Sequence, residues 1–322
     1  MTILNYEVHS NVASAKAMIA LFKDFAVAQG WSLLHYQVSK QWVVTSGWIA
    51  GTEDFLAIKS TGFGAQDLQF RMSVTNEATN VALVRLGAYR GSTVLDLTTG
   101  THPVFQTTAG QQKWNLNSDM FTTFPDAAGG PIETVWFFGN SKILFIIAKT
   151  AIDYCVGMSF GSPELYDPVE DEGNYSGHIQ SSLNPANYYY NKTLRMPLDY
   201  PLIASGTATS FFYDNILKSN NAWPNFVLNT SGIADINGIT GGYGHLVRQN
   251  SYSEVKPIFK QTAYVQHISD SAYRALGTMW AYRTYFEPIW EIGRHVLYGT
   301  DEYILFPGGR TSWPGGYAFR IS

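Results

Sequence analysis

The densest apolar stretch of the chain is Val135 to Thr150, VWFFGNSKILFIIAKT, two oily runs with Gly139-Asn140-Ser141-Lys142 between them. Each run is far shorter than the ~20 residues a membrane helix needs, and Lys142 and Lys149 stand close by. The residues are β-branched and aromatic, and a Gly-Asn pair lies where the chain must reverse, so the pattern predicts a hairpin of sheet strands. A half-wet strand would alternate apolar and polar positions. From Ile143 to Ala148 both parities are apolar, which calls for cover on both faces. The expected cover is the N-terminal helix on one side and a second layer or a neighbouring subunit on the other.

That helix is read between Asn11 and Gln29. Ala15, Met18, Ile19, Phe22, Phe25 and Ala26 recur at helical spacing, Ser10 or Asn11 can cap the start, and Gly30 stands just past the end. Short segments follow that read as strands: residues 32–38, 41–45, 55–60, 68–74 and 81–89. Leu68 to Val74 alternates strictly, with Leu68, Phe70, Met72 and Val74 on one side. Residues 91–130 are rich in Thr, Gln, Asn, Gly and Pro and read as loop. After the hairpin, residues 154–160 form a further strand. Residues 161–200 are irregular, with the acidic cluster Glu164, Asp167, Glu170, Asp171, Glu172 and the triple tyrosine Tyr188, Tyr189, Tyr190. In the second half, strands are predicted over 209–213, 223–228, 263–267, 288–298, 303–306 and 317–321, with a helix near Ser269 to Met279.

These elements place the chain in the α+β class, predominantly antiparallel β with an N-terminal amphipathic helix packed on a sheet. At 322 residues it has room for one large or two ordinary domains. The division expected is residues 1–162 for the helix and first sheet, 163–200 for an irregular acidic and Tyr-rich connection, and 201–322 for a C-terminal β-rich domain.

Composition narrows the function classes. The 21 basic and 25 acidic residues give a formal charge of −4, which argues against a nucleic-acid partner held by phosphate attraction. Charged residues are 14% of the chain, well below the roughly 25% of ordinary soluble domains, whereas aromatics are 15%. Interface centres lose Lys and Glu and gain rings, so this balance fits a protein covered by neighbours. It would also fit a sugar-binding surface. One cysteine, Cys155, excludes an internal disulfide and a thiolate metal cluster. The N-terminal MTILNYEVHS lacks the basic and apolar regions of a secretion signal, so the sequons at Asn174, Asn191 and Asn229 are read as chance.

Few motifs carry chemistry. Gly157-Met158-Ser159-Phe160-Gly161 matches the G-x-S-x-G of a nucleophile elbow, but an elbow needs a helix directly after the serine, and Pro163 and Pro168 leave little room for one. His245, His267 and His295 could complete a triad only on paper. The acidic cluster lacks the ligand spacing and mid-loop Gly of a calcium loop and reads as a solvated segment. The Gly-rich pieces at 238–244 and 308–316 read as turns. No cofactor and no metal is expected. The ring-rich patches (Tyr188 to Tyr190; Phe211, Phe212 and Tyr213; Trp280, Tyr282 and Tyr285) are taken as candidate interface residues, because large rings dominate core and interface energetics.

Several stretches resemble virion structural proteins encoded among the tail genes of tailed bacteriophages and prophages. The likeness runs through the N-terminal helix into Gly30-Trp31, through Glu53 to Ser60 and the alternating Leu68 to Val74, then through Val135 to Lys149 into 154–160 with Pro163 behind, and ends in Tyr303 to Pro307 and Gly316 to Ile321. The middle, Asp167 to Ala263, departs from that pattern with longer polar insertions. The resemblance implies a non-enzymatic structural component of the virion, in the tail or baseplate, made in the bacterial host cytoplasm. It further implies contacts with other tail or baseplate proteins and a homo-oligomer in a symmetric ring, with neither nucleic acid nor membrane as partner. The alternative expectation is a receptor-binding or glycan-binding module on the particle, taking a host-surface glycan through its Tyr-rich loops.

Overall fold

A computed structural model describes residues 3–41, 52–60, 68–74, 81–90, 112–113, 121–125, 132–150, 155–161, 164–167, 178–181, 194–195, 226–228, 258–266, 273–284, 292–308 and 315–322. Among these the chain is mostly antiparallel β-strand with a single α-helix. The chain opens with strand β1 (Asn5–Val12), helix α1 (Ala15–Ala28) and strand β2 (Ser32–Gln41). Next come β3 (Thr52–Ser60), β4 (Leu68–Val74), β5 (Val81–Arg90), β6 (Gln112–Lys113) and β7 (Phe121–Pro125). The hairpin is β8 (Ile132–Gly139) and β9 (Ile143–Thr150), followed by β10 (Cys155–Gly161), β11 (Glu164–Leu165), β12 (His178–Ser181) and β13 (Leu194–Arg195). The remaining strands are β14 (Phe226–Leu228), β15 (Ile258–Gln266), β16 (Tyr273–Thr284), β17 (Arg294–Tyr298), β18 (Asp301–Gly308) and β19 (Gly315–Arg320).

Helix α1 starts at Ala15, the first residue of its apolar period, and not behind the Ser10 or Asn11 cap expected. Strand β1 runs on to Val12, so the cap falls to Ser14, whose hydroxyl accepts from the Ala17 N–H at 3.1 Å. At the other end Gly30 adopts φ +89, the Gly30 N–H donates to the Val27 carbonyl, and the Trp31 N–H donates to the Ala26 carbonyl. That paired closure needs the left-handed conformation only glycine takes freely, so the sequence position of Gly30 sets the end of the helix.

Two sheets form. The larger has 13 strands in the order β1-β8-β9-β10-β13-β18-β19-β16-β15-β14, with β11, β12 and β17 attached beside it. The smaller has six, β2-β3-β4-β5-β6 with β7 on β5. The ladders are antiparallel except at β13, whose short pairings with β10 and β18 are parallel. The larger sheet takes strands from residues 5–12, 132–165 and 258–320 alike. Its path runs from β10 through β13 to β18, and β11 pairs with β16.

The hairpin sits between two apolar clusters, and side-chain parity decides which residue enters which. Val135 and Phe137 of β8 with Leu144, Ile146 and Ala148 of β9 join Met18, Ile19, Phe22, Phe25 and Ala26 of α1, and Leu56, Ile58, Phe70, Met72 and Val74 of the smaller sheet. The Phe137 ring centroid lies 5.4 Å from that of Phe22 and 5.6 Å from that of Phe25. On the opposite face Trp136, Phe138, Ile143, Phe145 and Ile147 meet Leu4, Trp280, Ile304, Phe306, Tyr317 and Phe319. Phe138 stacks on Phe319 at 4.4 Å, and Phe145 meets the same ring edge-on at 5.1 Å. Both covers therefore come from the chain's own residues, the second being strands of the larger sheet that return across its face. Removing each such side chain from water is worth roughly 1.5 to 3 kcal/mol.

The turn between β8 and β9 is fixed by its asparagine. The Asn140 side-chain oxygen accepts from the Lys142 N–H at 2.8 Å and the Ile143 N–H at 3.1 Å, which reproduces a backbone turn locally. Trp31 Nε1 donates to the Asn140 carbonyl and the Ser60 hydroxyl to the Ser141 carbonyl, both at 2.8 Å, so the turn is tied to the segment after α1 and to β3.

Three expectations change. Residues 273–284 form the strand β16 in place of the helix expected near Ser269 to Met279. The reason is visible at Gly277, where β16 slips register against β15 between Ala263 and Tyr264, and where an added Cβ would strike the Glu164 carbonyl of β11. Backbone packed that closely on backbone admits only glycine, and its presence inside a strand marks such a bulge. Within residues 91–130, read as loop, lie the short strands β6 and β7, both paired to β5. Strand β1 forms where no element was expected, although Leu4, Tyr6 and Val8 alternate with Asn5, Glu7 and His9, and all of Asn5–Val12 except His9 and Val12 is exposed.

Candidate interaction surface

The apolar side chains left outside the two clusters gather in part around β1 and β17. Ile3, Tyr6 and Val8 are exposed, Val8 by 43%, and on β17 Leu297 is 75% exposed and Tyr298 exposed beside it. The register of β1 on β8 explains the first group. Tyr6 stands opposite Phe138 and Val8 opposite Trp136, so they share the ring-lined face of the hairpin but lie at its margin, beyond the strands that roof it. The Tyr6 ring lies 6.3 Å from Phe138 and 6.1 Å from the His295 ring of β17, which brings the two strands alongside one another. The Leu4 N–H donates to the Arg320 carbonyl at 3.1 Å, joining the start of β1 to the end of β19.

Polar pairs border this surface. His295 Nδ1 lies 2.8 Å from Glu302 Oε1, and Arg320 Nη2 donates to Asp301 Oδ1 at 2.8 Å. Tyr303 lies next to the second pair. Burial, and then the Asp301 carboxylate to which its hydroxyl donates, raise the phenol above its ordinary value of 10.0. A second polar group lies by α1, where the buried Asp54 accepts from the Ser39 N–H at 2.9 Å and Lys16 approaches to 3.9 Å. Ser39 has φ +52 and falls where β2 slips register on β3, so this carboxylate fastens an irregular strand. Burial raises the neighbouring Tyr36 phenol too, with Asp54 adding to the shift.

Of the ring residues singled out by sequence, Trp280 lies on β16 at 7% exposure and its ring packs in the second apolar cluster. Tyr282 lies on the same strand, opposite Ala318 of β19 and Lys260 of β15. Tyr188, Tyr189, Tyr190, Phe211, Phe212, Tyr213 and Tyr285 lie outside the described residues. The alternation of Leu4, Tyr6 and Val8 with Asn5, Glu7 and His9 marks β1 in the sequence at the strand period, but it does not show that Tyr6 and Val8 stay exposed.

The serine of the G-x-S-x-G match is buried in mid-strand. Ser159 pairs with Phe145 on one side and Gln180 on the other, and β10 runs on to Gly161 without turning. A nucleophile elbow lifts its serine out on a turn between strand and helix, and that context is absent at Ser159. In the acidic cluster, Glu164 accepts from the Thr278 hydroxyl at 3.2 Å and Asp167 is exposed, while Glu170, Asp171 and Glu172 lie outside the described residues. Among the described residues no group of three His, Cys, Asp or Glu is arranged to hold a metal ion, and no helix is long and apolar enough to cross a membrane.

No protein-family model and no curated protein matches this sequence.

Proposed function

We propose that this chain is a structural component of a bacteriophage virion, a tail or baseplate protein that acts by assembly contacts with copies of itself and with other particle proteins. It would be made in the host cytoplasm and end in the virion. The observation that carries the reading is the margin formed by β1 and β17. Both faces of the hairpin are already covered from within, so Ile3, Tyr6, Val8, Leu297 and Tyr298 are apolar surface left over once the core is complete. The Tyr6–His295 ring contact brings the exposed residues of β1 and β17 near one another, with polar pairs at their border, as at a contact site. In this reading the helix-on-sheet layer of α1 and the hairpin is the rigid body that carries that margin. The resemblance of the oily strands to tail proteins supports the same assignment and suggests a symmetric ring.

The test is to locate the chain in particles. Gold-labelled antibody raised against the purified protein should decorate intact virions from cells that express it, and the chain should co-purify with them at constant ratio through a density gradient. Particles that form without the chain, or that never contain it, would refute the assignment.

A further inference from the structure

Strand β1 lies at the end of the larger sheet and pairs with β8 alone. In an antiparallel ladder the N–H and C=O of one residue point to the same side, and successive residues alternate sides. The Leu4 N–H points away from β8, since it donates to Arg320. Tyr6, Val8 and Ser10 therefore also turn their backbone groups outward, and among the described residues those groups have no backbone partner. All three residues are exposed. Between Asn5 and Ser10 there is no proline, lysine or bulge of the kind that guards an open edge.

We propose that the occupant of this edge is β1 of a second copy of the same chain, paired antiparallel about a two-fold axis through Val8. The inference rests on the assembly reading above and names one of its contacts. In that register Tyr6 meets Ser10 of the second copy, Val8 meets Val8, and Glu7 faces His9 once on each side of the axis. Outward residues meet outward residues, so Tyr6, Val8 and Ser10 exchange N–H···O bonds. Glu7 and His9 fall at the non-hydrogen-bonded positions, where facing side chains approach most closely. The carboxylate accepts and the imidazole N–H donates, a match of charge and donor that the strand offers to itself. Glu7 Oε2 and His9 Nε2 already lie 3.2 Å apart, so both project to the same face of the sheet.

Neighbouring registers lose this match. Centred on Tyr6, the pairing would bring Glu7 against Asn5. Centred on Ser10, it would set Glu7 against Ala13 and His9 against Asn11. The Val8 register also places the two Val8 side chains together, extending the ring-lined face of Trp136 and Phe138 into the second copy. A two-fold contact closes on itself, so it joins copies in pairs and leaves any ring contact to other surfaces.

The experiment is the solution mass of the full chain against concentration, by sedimentation equilibrium, for the wild type and for Val8→Lys, with thermal melting as the check on folding. The wild type should be a dimer, and Val8→Lys, which sets like charges face to face on the axis, should weaken it at least about tenfold with no change in melting of the monomer. Val8→Cys should give a disulfide-linked dimer with oxidised glutathione that the wild type, carrying only Cys155, does not. A wild type that stays a single chain up to its solubility limit overturns the pairing. An oligomer that is indifferent to Val8→Lys and gives no Val8→Cys cross-link also overturns it, while leaving the assembly reading intact. Absence from particles would refute that reading whatever the mass.

Discussion

Strands β1 and β8 run side by side in one ladder, from Asn5 opposite Gly139 to Val12 opposite Ile132, yet their surroundings are opposite. On β8 every residue from Val135 to Gly139 is buried, whereas on β1 only Val12 is. The same hydrogen-bonded geometry is thus held by different forces. Apolar burial on both faces fixes β8 and β9. Strand β1 is held by its backbone ladder, by Leu4 and Val12 at its two ends, which enter the two apolar clusters, and by ring contacts of Tyr6 and His9 and the Asn5 amide on Gln29. The contrast predicts that substitutions at β9 act on folding, while those on β1 act on what the chain touches.

The largest effect should come from a charge in the hairpin. Ile146 faces the α1 cluster and Phe145 the opposite one, both fully buried. An unpaired charge at either site costs several kcal/mol, a large share of the 5–15 kcal/mol that holds a typical domain together. Ile146→Lys and Phe145→Lys should each leave no soluble folded protein. Recovery of either with the wild-type near-ultraviolet circular dichroism would show that the faces are not covered as described. Next in size is Phe137→Ala. Its ring is clasped by Phe22 and Phe25 and touched by His9 at 5.5 Å, so the cavity should cost about 3–5 kcal/mol in denaturant unfolding. A loss under ~1 kcal/mol would mean that α1 does not rest on this sheet.

Gly277→Ala should cost about 1–3 kcal/mol, because its methyl group would enter the space of the Glu164 carbonyl and force β11 and β16 apart. A fully neutral result in the same unfolding measurement would contradict that close approach. It is a backbone constraint, which the hydrophobic pattern does not display.

That distinction also sets how much of the molecule was legible. The helix could be read from Ala15, Met18, Ile19, Phe22, Phe25 and Ala26 because one face of it is buried, and its end from Gly30. The hairpin could be read because both parities of Ile143 to Ala148 are oily, which demanded the two covers now seen. What it could not convey is that the second cover comes from residues 280–319 of the same chain. Such long-range ladders are chosen by register among strands whose local patterns look alike. The helix expected near Ser269 to Met279 fails for a related reason. Apolar spacing alone does not separate helix from strand, and the deciding contact, Gly277 against Glu164, joins residues far apart in the sequence. The candidate contact surface was the least legible part. Ring-rich segments stand out in the sequence, yet Trp280, the one such ring whose surroundings are described, packs inside, whereas the exposed margin is built from scattered Ile3, Tyr6, Val8 and Leu297.

A smaller effect is expected from the ends of the strands near that margin. The Tyr303 phenol is raised by burial and then by Asp301, so the folded chain holds this proton more tightly than the unfolded one. Its contribution is complete below the ordinary value of 10.0 and is lost as pH rises through the higher folded value. Stability measured by urea unfolding should therefore fall above pH 10, and less steeply in Tyr303→Phe. Identical slopes for the two proteins would show that the group does not titrate across folding. Tyr36 is shifted the same way and should contribute a parallel loss that Tyr303→Phe leaves in place.

The smallest effect on folding should be at β1 itself. Val8 is 43% exposed, its side chain lies beyond the strands that roof the hairpin, and its backbone N–H points away from β8, so a lysine there can extend into water without breaking the ladder. The change in unfolding free energy should stay within about 0.5 kcal/mol, the range of ordinary surface substitutions. The measurement must be made at protein concentrations where the wild type is monomeric, since self-association would otherwise add stability by mass action and mimic a folding effect. Set beside Ile146→Lys, the same residue introduced two strands away, it isolates burial as the variable. If both lysines abolish folding, β1 is packed from both sides like its neighbours and the margin is part of the core; if Val8→Lys is silent, the strand is held without Val8 and its outer edge stays open to a partner.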